Sequence, residues 1–141
     1  MTAAPTVRIE DDPTLPFLRW LRLDRPSHRN AWSEAMLDQF LRALDDAEDD
    51  PAVRIVAITG TGRAFSAGGD LKAMRDKTGM FAGGPVELRS RYSRGIQNIP
   101  RRMARFDKPI IAAVNGAAIG AGLDLACMCD LRIAAEGAKL G

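Results

Sequence analysis

A chain of 141 residues is one domain's worth, and 46% hydrophobic with 27% charged residues is a globular balance that sets aside wholesale disorder and a membrane-spanning run. With 20 basic against 18 acidic side chains the formal charge is +2. No chain-wide field therefore advertises a nucleic acid or a membrane surface, and any polyanion site has to be local. In chain order, residues 6–10 and 17–24 are two extended runs parted by Asp11-Asp12-Pro13; the second alternates Phe17, Arg19, Leu21 and Leu23, and the two are expected to pair as a hairpin. After a turn at Pro26, Ser33 and Glu34 supply helix-start chemistry, and Met36/Leu37, Phe40/Leu41, Leu44 and Ala47 recur at helical spacing until Asp49-Asp50-Pro51. Residues 54–60 (RIVAITG) are short, β-branched and bounded by turn residues, which predicts a strand covered on both faces.

A glycine-rich turn follows, then a short helix over 70–76 and a loop over 77–85 whose small, glycine-heavy composition predicts mobility. Leu88, Tyr92, Ile96, Ile99 and Met103 predict a second long helix, kinked at Pro100. Residues 109–115 repeat the buried-strand pattern, 116–122 the glycine-rich turn, 123–128 a short apolar helix, and 131–135 a last strand. A strand, a glycine-rich turn and a helix thus occur twice, about 55 residues apart, which is the α/β logic of parallel strands joined by helical crossovers. Cys127 and Cys129, two apart in an apolar run, fit neither a disulfide framework nor a CxxC motif and are expected to be buried. The single histidine, His28, lies in a polar turn, is expected at the surface, and excludes a multi-imidazole metal centre. The N-terminal residues lack a leader pattern, so the expected compartment is the cytoplasm.

Each glycine-rich turn runs from a strand into a helix, whose first N–H groups lack intrahelical partners and sit at the positive end of the dipole. Such a turn suits a phosphate or an oxyanion. The phosphate-binding patterns GxGxxG and GxxxxGK[ST] are absent, and Ala64-Phe65-Ser66-Ala67-Gly68 misses the first glycine of the nucleophile elbow GxSxG. What the turns do resemble is a pair of family signatures. Residues 58–74 (ITGTGRAFSAGGDLKAM) and 108–130 (KPIIAAVNGAAIGAGLDLACMCD) are similar to the two signature segments of the enoyl-CoA hydratase/isomerase (crotonase) family, and 25–31 (RPSHRNA) resembles its CoA-binding turn.

The resemblance implies a crotonase-like α/β fold, a spiral of ββα repeats, acting on an acyl-CoA thioester with no separate cofactor and no metal. It implies that the peptide N–H groups of Gly69 and Ala121 bind the thioester oxygen as negative charge builds there. Alanine replaces the glycine common in the family at position 121, which keeps the N–H. It further implies that Asp124 stands where family hydratases carry the first of two acid/base glutamates, one methylene shorter here, with the second expected past Gly141. Coenzyme A contacts are expected at Asn30, Ala31, Ala67, Asp70, Leu71 and Lys72. Family members are close to twice this length, so residues 1–141 are expected to be the N-terminal part of one domain, with the later turns of the spiral and the helices that build a homotrimer or hexamer outside them. Isomerisation is the neighbouring reaction. The rival class is a binding or scaffold protein without catalysis, and Arg89, Arg91, Arg94, Arg101, Arg102 and Arg105 give it an RNA-binding version, against which stand the low net charge and the single nearby aromatic, Tyr92.

Overall fold

The computed structural model describes residues 5–141. Strands β1 (Val7–Asp11) and β2 (Leu18–Leu23) pair antiparallel, with Ile9 opposite Leu21. The predicted first helix is α1 (Glu34–Asp49): Ser33 caps it by accepting from the Met36 amide, and Met36, Leu37, Phe40, Ala43, Leu44 and Ala47 form its buried stripe. Strand β3 (Ile55–Gly60) is parallel to β2 and buried on both faces, as its unbroken apolar run requires. Then come β5 (Ile110–Val114), reached after a short strand β4 (Ala64–Ser66), and β7 (Leu131–Ala134), reached after a second short strand β6 (Ala117–Ala118).

The main sheet runs β1-β2-β3-β5-β7, parallel apart from β1, while β4 and β6 pair with each other in a small second sheet. Because the strand order advances in one direction, right-handed crossovers lay the connecting helices on one face. Helix α1 accordingly touches α4 (Asn98–Met103), and α4 touches α5 (Ala121–Met128). The ββα repeat is visible twice. Strand β3 in the large sheet, β4 in the small one and helix α2 (Leu71–Asp76) form the first; β5, β6 and α5 form the second. Leu140 bridges to Ala118, adding a third chain segment to the small sheet. Among the described residues no helix is long and apolar enough to cross a membrane.

Four expectations need correction. The strands β4 and β6 lie inside what reads as turns; three and two residues are too few to carry a periodicity. The long helix is two, α3 (Pro85–Arg94) and α4, and the chain breaks at Gly95. Pro100 causes no kink, because it occupies the first turn of α4, where an N–H would have no intrahelical acceptor. Within the loop over 77–85 a 3-10 turn, Gly79–Phe81, buries Phe81 edge-on to Tyr92 with ring centres 6.0 Å apart. Cys127 is exposed, whereas Cys129 is buried, and burial pushes its thiol up to about 12.

Candidate active site

Three segments far apart in sequence are tied together by buried polar groups. Asn30, fully buried and in the left-handed region at φ 54°, accepts from the Arg25 amide and donates to the carbonyls of Thr61 (3.0 Å) and Ala64 (2.9 Å). The buried Ser66 hydroxyl donates to the Asn30 carbonyl at 2.8 Å and accepts from the Gly68 amide at 3.1 Å. From the other side Asn115 accepts from the Gly60 amide at 2.9 Å and donates to the Gly62 carbonyl at 3.1 Å. The small sheet completes the clamp, with the Ile119 amide on the Ser66 carbonyl at 3.0 Å.

Side chains are excluded where the turns meet. A Cβ on Gly122 would lie 2.2 Å from the Ser66 carbonyl oxygen, and one on Gly68 2.4 Å from that of Ile119 and 2.9 Å from the Ala121 nitrogen. Gly68 also has φ +76°, so glycine is needed there for conformation as well as space. The consequence is that Gly69 and Ala121, 52 positions apart in the chain, border one cavity of about 810 Å³. Neither of their amide nitrogens donates a hydrogen bond among the described residues, whereas their neighbours do: Gly120 donates to Gly141, and Gly122 to Ile119. Two free, preorganised donors on one apolar cavity are what a developing oxyanion requires.

Asp124 lines that cavity from the first turn of α5. Its carboxylate makes no hydrogen bond and no ion pair among the described residues, so the structural roles of capping or pairing are not used. Ala67 and Leu71 line the cavity too, while Lys72 is exposed on α2 beside it. Asp70 is committed locally: it caps α2 by accepting from the Ala73 amide at 3.0 Å and lies 3.9 Å from Arg25. The two earlier coenzyme A candidates lie deeper: Asn30 has every polar group engaged at zero exposure, and Ala31 is buried with its carbonyl accepting from Arg25, so both shape the turn from inside.

Ser66, Asn115 and the cavity wall of Trp32, Met74, Met80, Phe81, Tyr92 and Ile96 were not legible as site residues. Helical spacing marks Tyr92 and Ile96 as apolar, but nothing in that pattern says which space they face. The buried indole N–H of Trp32 has no acceptor among the described residues. Three of the six arginines of the stripe are engaged within the fold: Arg102 pairs with Asp45 and Glu48, Arg91 with Glu34 at 3.6 Å, and Arg101 donates to the Ser93 carbonyl.

Comparison with known proteins points the same way. A family model described as enoyl-CoA hydratase/isomerase matches residues 18–141. The chain is 39% identical over 121 residues to the 2,3-dehydroadipyl-CoA hydratase of Escherichia coli K12, and 40% over 122 to the crotonyl-CoA hydratase of Syntrophomonas wolfei, covering 86% of this chain and 44% of the relative in both cases. It thus spans less than half the length of these relatives. Its structure is similar to that of an enoyl-CoA hydratase from Bacillus anthracis, with a TM-score of 0.80 and 31% identity over 96% of this chain and 50% of that one.

Proposed function

This chain belongs to the enoyl-CoA hydratase/isomerase family and has its crotonase-like α/β fold, and from that premise we propose that the cavity binds the acyl part of a coenzyme A thioester and hydrates its 2,3 double bond. The single observation that carries the reading is the pair of unpartnered amides, Gly69 and Ala121, on one apolar cavity. When water adds at Cβ, the π electrons move through Cα onto the thioester oxygen, and the two amides stabilise the charge that forms there. Asp124, the one carboxylate among the lining residues, takes the proton from the attacking water. Asp124 then returns that proton to Cα, which collapses the enolate, so that the H and OH of one water have been added and the thioester is regenerated.

The coenzyme A portion would run past Ala67, Asp70 and Leu71 towards Lys72, whose ammonium suits a phosphate. A homotrimer or hexamer in the cytoplasm belongs to the same proposal. A shift of the double bond is the second reading, because Asp124 in the wall can remove a proton at one carbon and return it at another. Both reactions share the enolate, so both need the amide pair.

Ala121→Pro tests it. Proline is tolerated at the first position of a helix and replaces the N–H with a ring methylene that cannot donate. Turnover of a 2-enoyl thioester, followed by loss of its conjugated absorbance, should fall about 100-fold or more for one missing donor. Undiminished turnover by a folded Ala121→Pro protein removes the oxyanion role.

A further inference from the structure

The two amides of the site are aimed in different ways. Ala121 opens α5, and the carbonyl of its own peptide unit, that of Gly120, accepts from the Asp124 amide at 2.9 Å in the first helical turn. Gly69 lies outside any helix, one residue before Asp70, the N-cap of α2. What fixes its N–H is the other end of its peptide unit. A trans peptide is planar, with C=O and N–H pointing in opposite directions, and the Gly68 carbonyl accepts from the Trp32 amide at 2.8 Å. The Gly69 N–H is thereby turned away from that bond.

The Trp32 N–H belongs in turn to the Ala31–Trp32 unit, whose carbonyl accepts from the Arg25 guanidinium. A cation, two peptide units and the free N–H of Gly69 thus form one hydrogen-bonded series. Arg25 is held at both backbone ends: its N–H donates to the Asn30 side chain at 2.8 Å, and its carbonyl accepts from the Asn30 amide at 3.0 Å. Its side chain is 17% exposed, so solvent ions screen the charge little. Hydrogen bonds in series polarise one another, and a cation at the carbonyl end draws electron density from each N–H further along. The Asp70 carboxylate, 3.9 Å from a guanidinium nitrogen, opposes that pull.

Resting on the acyl-CoA reading above, we propose that Arg25 is a positioning residue for the reaction: through Ala31, Trp32 and Gly68 it orients the Gly69 donor and strengthens it towards the thioester oxygen.

The test uses two ligands, hexanoyl-CoA and its thioether S-hexyl-CoA, which lacks the carbonyl oxygen. Calorimetry gives both affinities, and infrared difference spectra of hexanoyl-CoA isotope-labelled at the carbonyl report the donors directly, because a stronger donor lowers the C=O stretching frequency. In the wild type the bound ester should show a downshift and bind tighter than the thioether. Arg25→Met should shrink the downshift and cut the hexanoyl-to-hexyl affinity ratio about fivefold or more, with S-hexyl-CoA affinity unchanged. No loss, or equal losses for both ligands, overturns the positioning role. Asp70→Asn keeps a capping side chain for α2 and removes the opposing charge, so it tests the same series should Arg25→Met fail to fold. Its downshift should exceed that of the wild type, and one no larger overturns the polarisation. If the wild type shows no downshift and binds both ligands equally, the amide-pair reading itself falls and takes this one with it.

Discussion

At the scale of single residues the site separates groups that hold the chain from groups left free to act. Asn30, Ser66 and Asn115 are polar and positioned near the two turns, yet their hydrogen-bonding capacity is spent on backbone. Asp124 is the reverse case, exposed on the cavity with no partner among the described residues. Replacing it with asparagine keeps shape and removes the base. Asp124→Asn should lower turnover at least tenfold while thioester affinity and melting temperature stay as they were; steady-state kinetics beside calorimetry and a thermal melt check all three. Wild-type turnover would take Asp124 out of the chemistry. The residue type and its offset from the second turn were legible in the sequence, but its freedom was not, because partners 50 or more positions away decide it.

At the scale of elements, what matters is how closely helix and strand approach. Alanine has the better helix propensity, by about 1 kcal/mol over glycine. At position 122, inside α5, that preference loses to space, since the new Cβ would meet the Ser66 carbonyl oxygen at 2.2 Å and its carbon at 2.8 Å. Gly122→Ala is expected to destabilise by ~1–3 kcal/mol, and the melting temperature should fall by about 5 °C or more. It should also weaken thioester binding, because parting α5 from β4 separates the two amides. A second element contact responds to pH. Arg102 on α4, with the Asp107 amide, holds the Glu48 carboxyl of α1 below its ordinary value of 4.5. A carboxylate whose folded pKa is depressed stabilises fully above its unfolded pKa and loses that contribution as pH falls through the folded value. Stability of the wild type should therefore drop below about pH 4.5, and Glu48→Gln should show a shallower drop in chemical-denaturation midpoints over that range. Equal pH profiles would show that this α1–α4 contact contributes nothing in acid.

At the scale of the whole molecule, cover is uneven across the sheet. Strand β3 is paired on both edges and buried on both faces, whereas β7 pairs with β5 alone among the described residues and is exposed along its length, with Leu131 at 60% and Ile133 at 68%. Local opening should follow this gradient: amide hydrogen exchange of β7 should be the fastest of the main-sheet strands and that of β3 the slowest, and comparable protection in both would contradict it. The sequence by itself determined the order of the long elements, the parallel α/β logic, the two strand-to-helix turns and the family they resemble. It did so because apolar periodicity, capping residues and glycine placement act within a few residues of one another. Only the tertiary structure decided that β4 and β6 pair, that the chain breaks at Gly95 and not at Pro100, that Asn30 faces inward, and that Gly69 and Ala121 share one cavity. Those outcomes rest on contacts between segments tens of residues apart, where close packing and the pairing of buried polar groups override what any local pattern can specify.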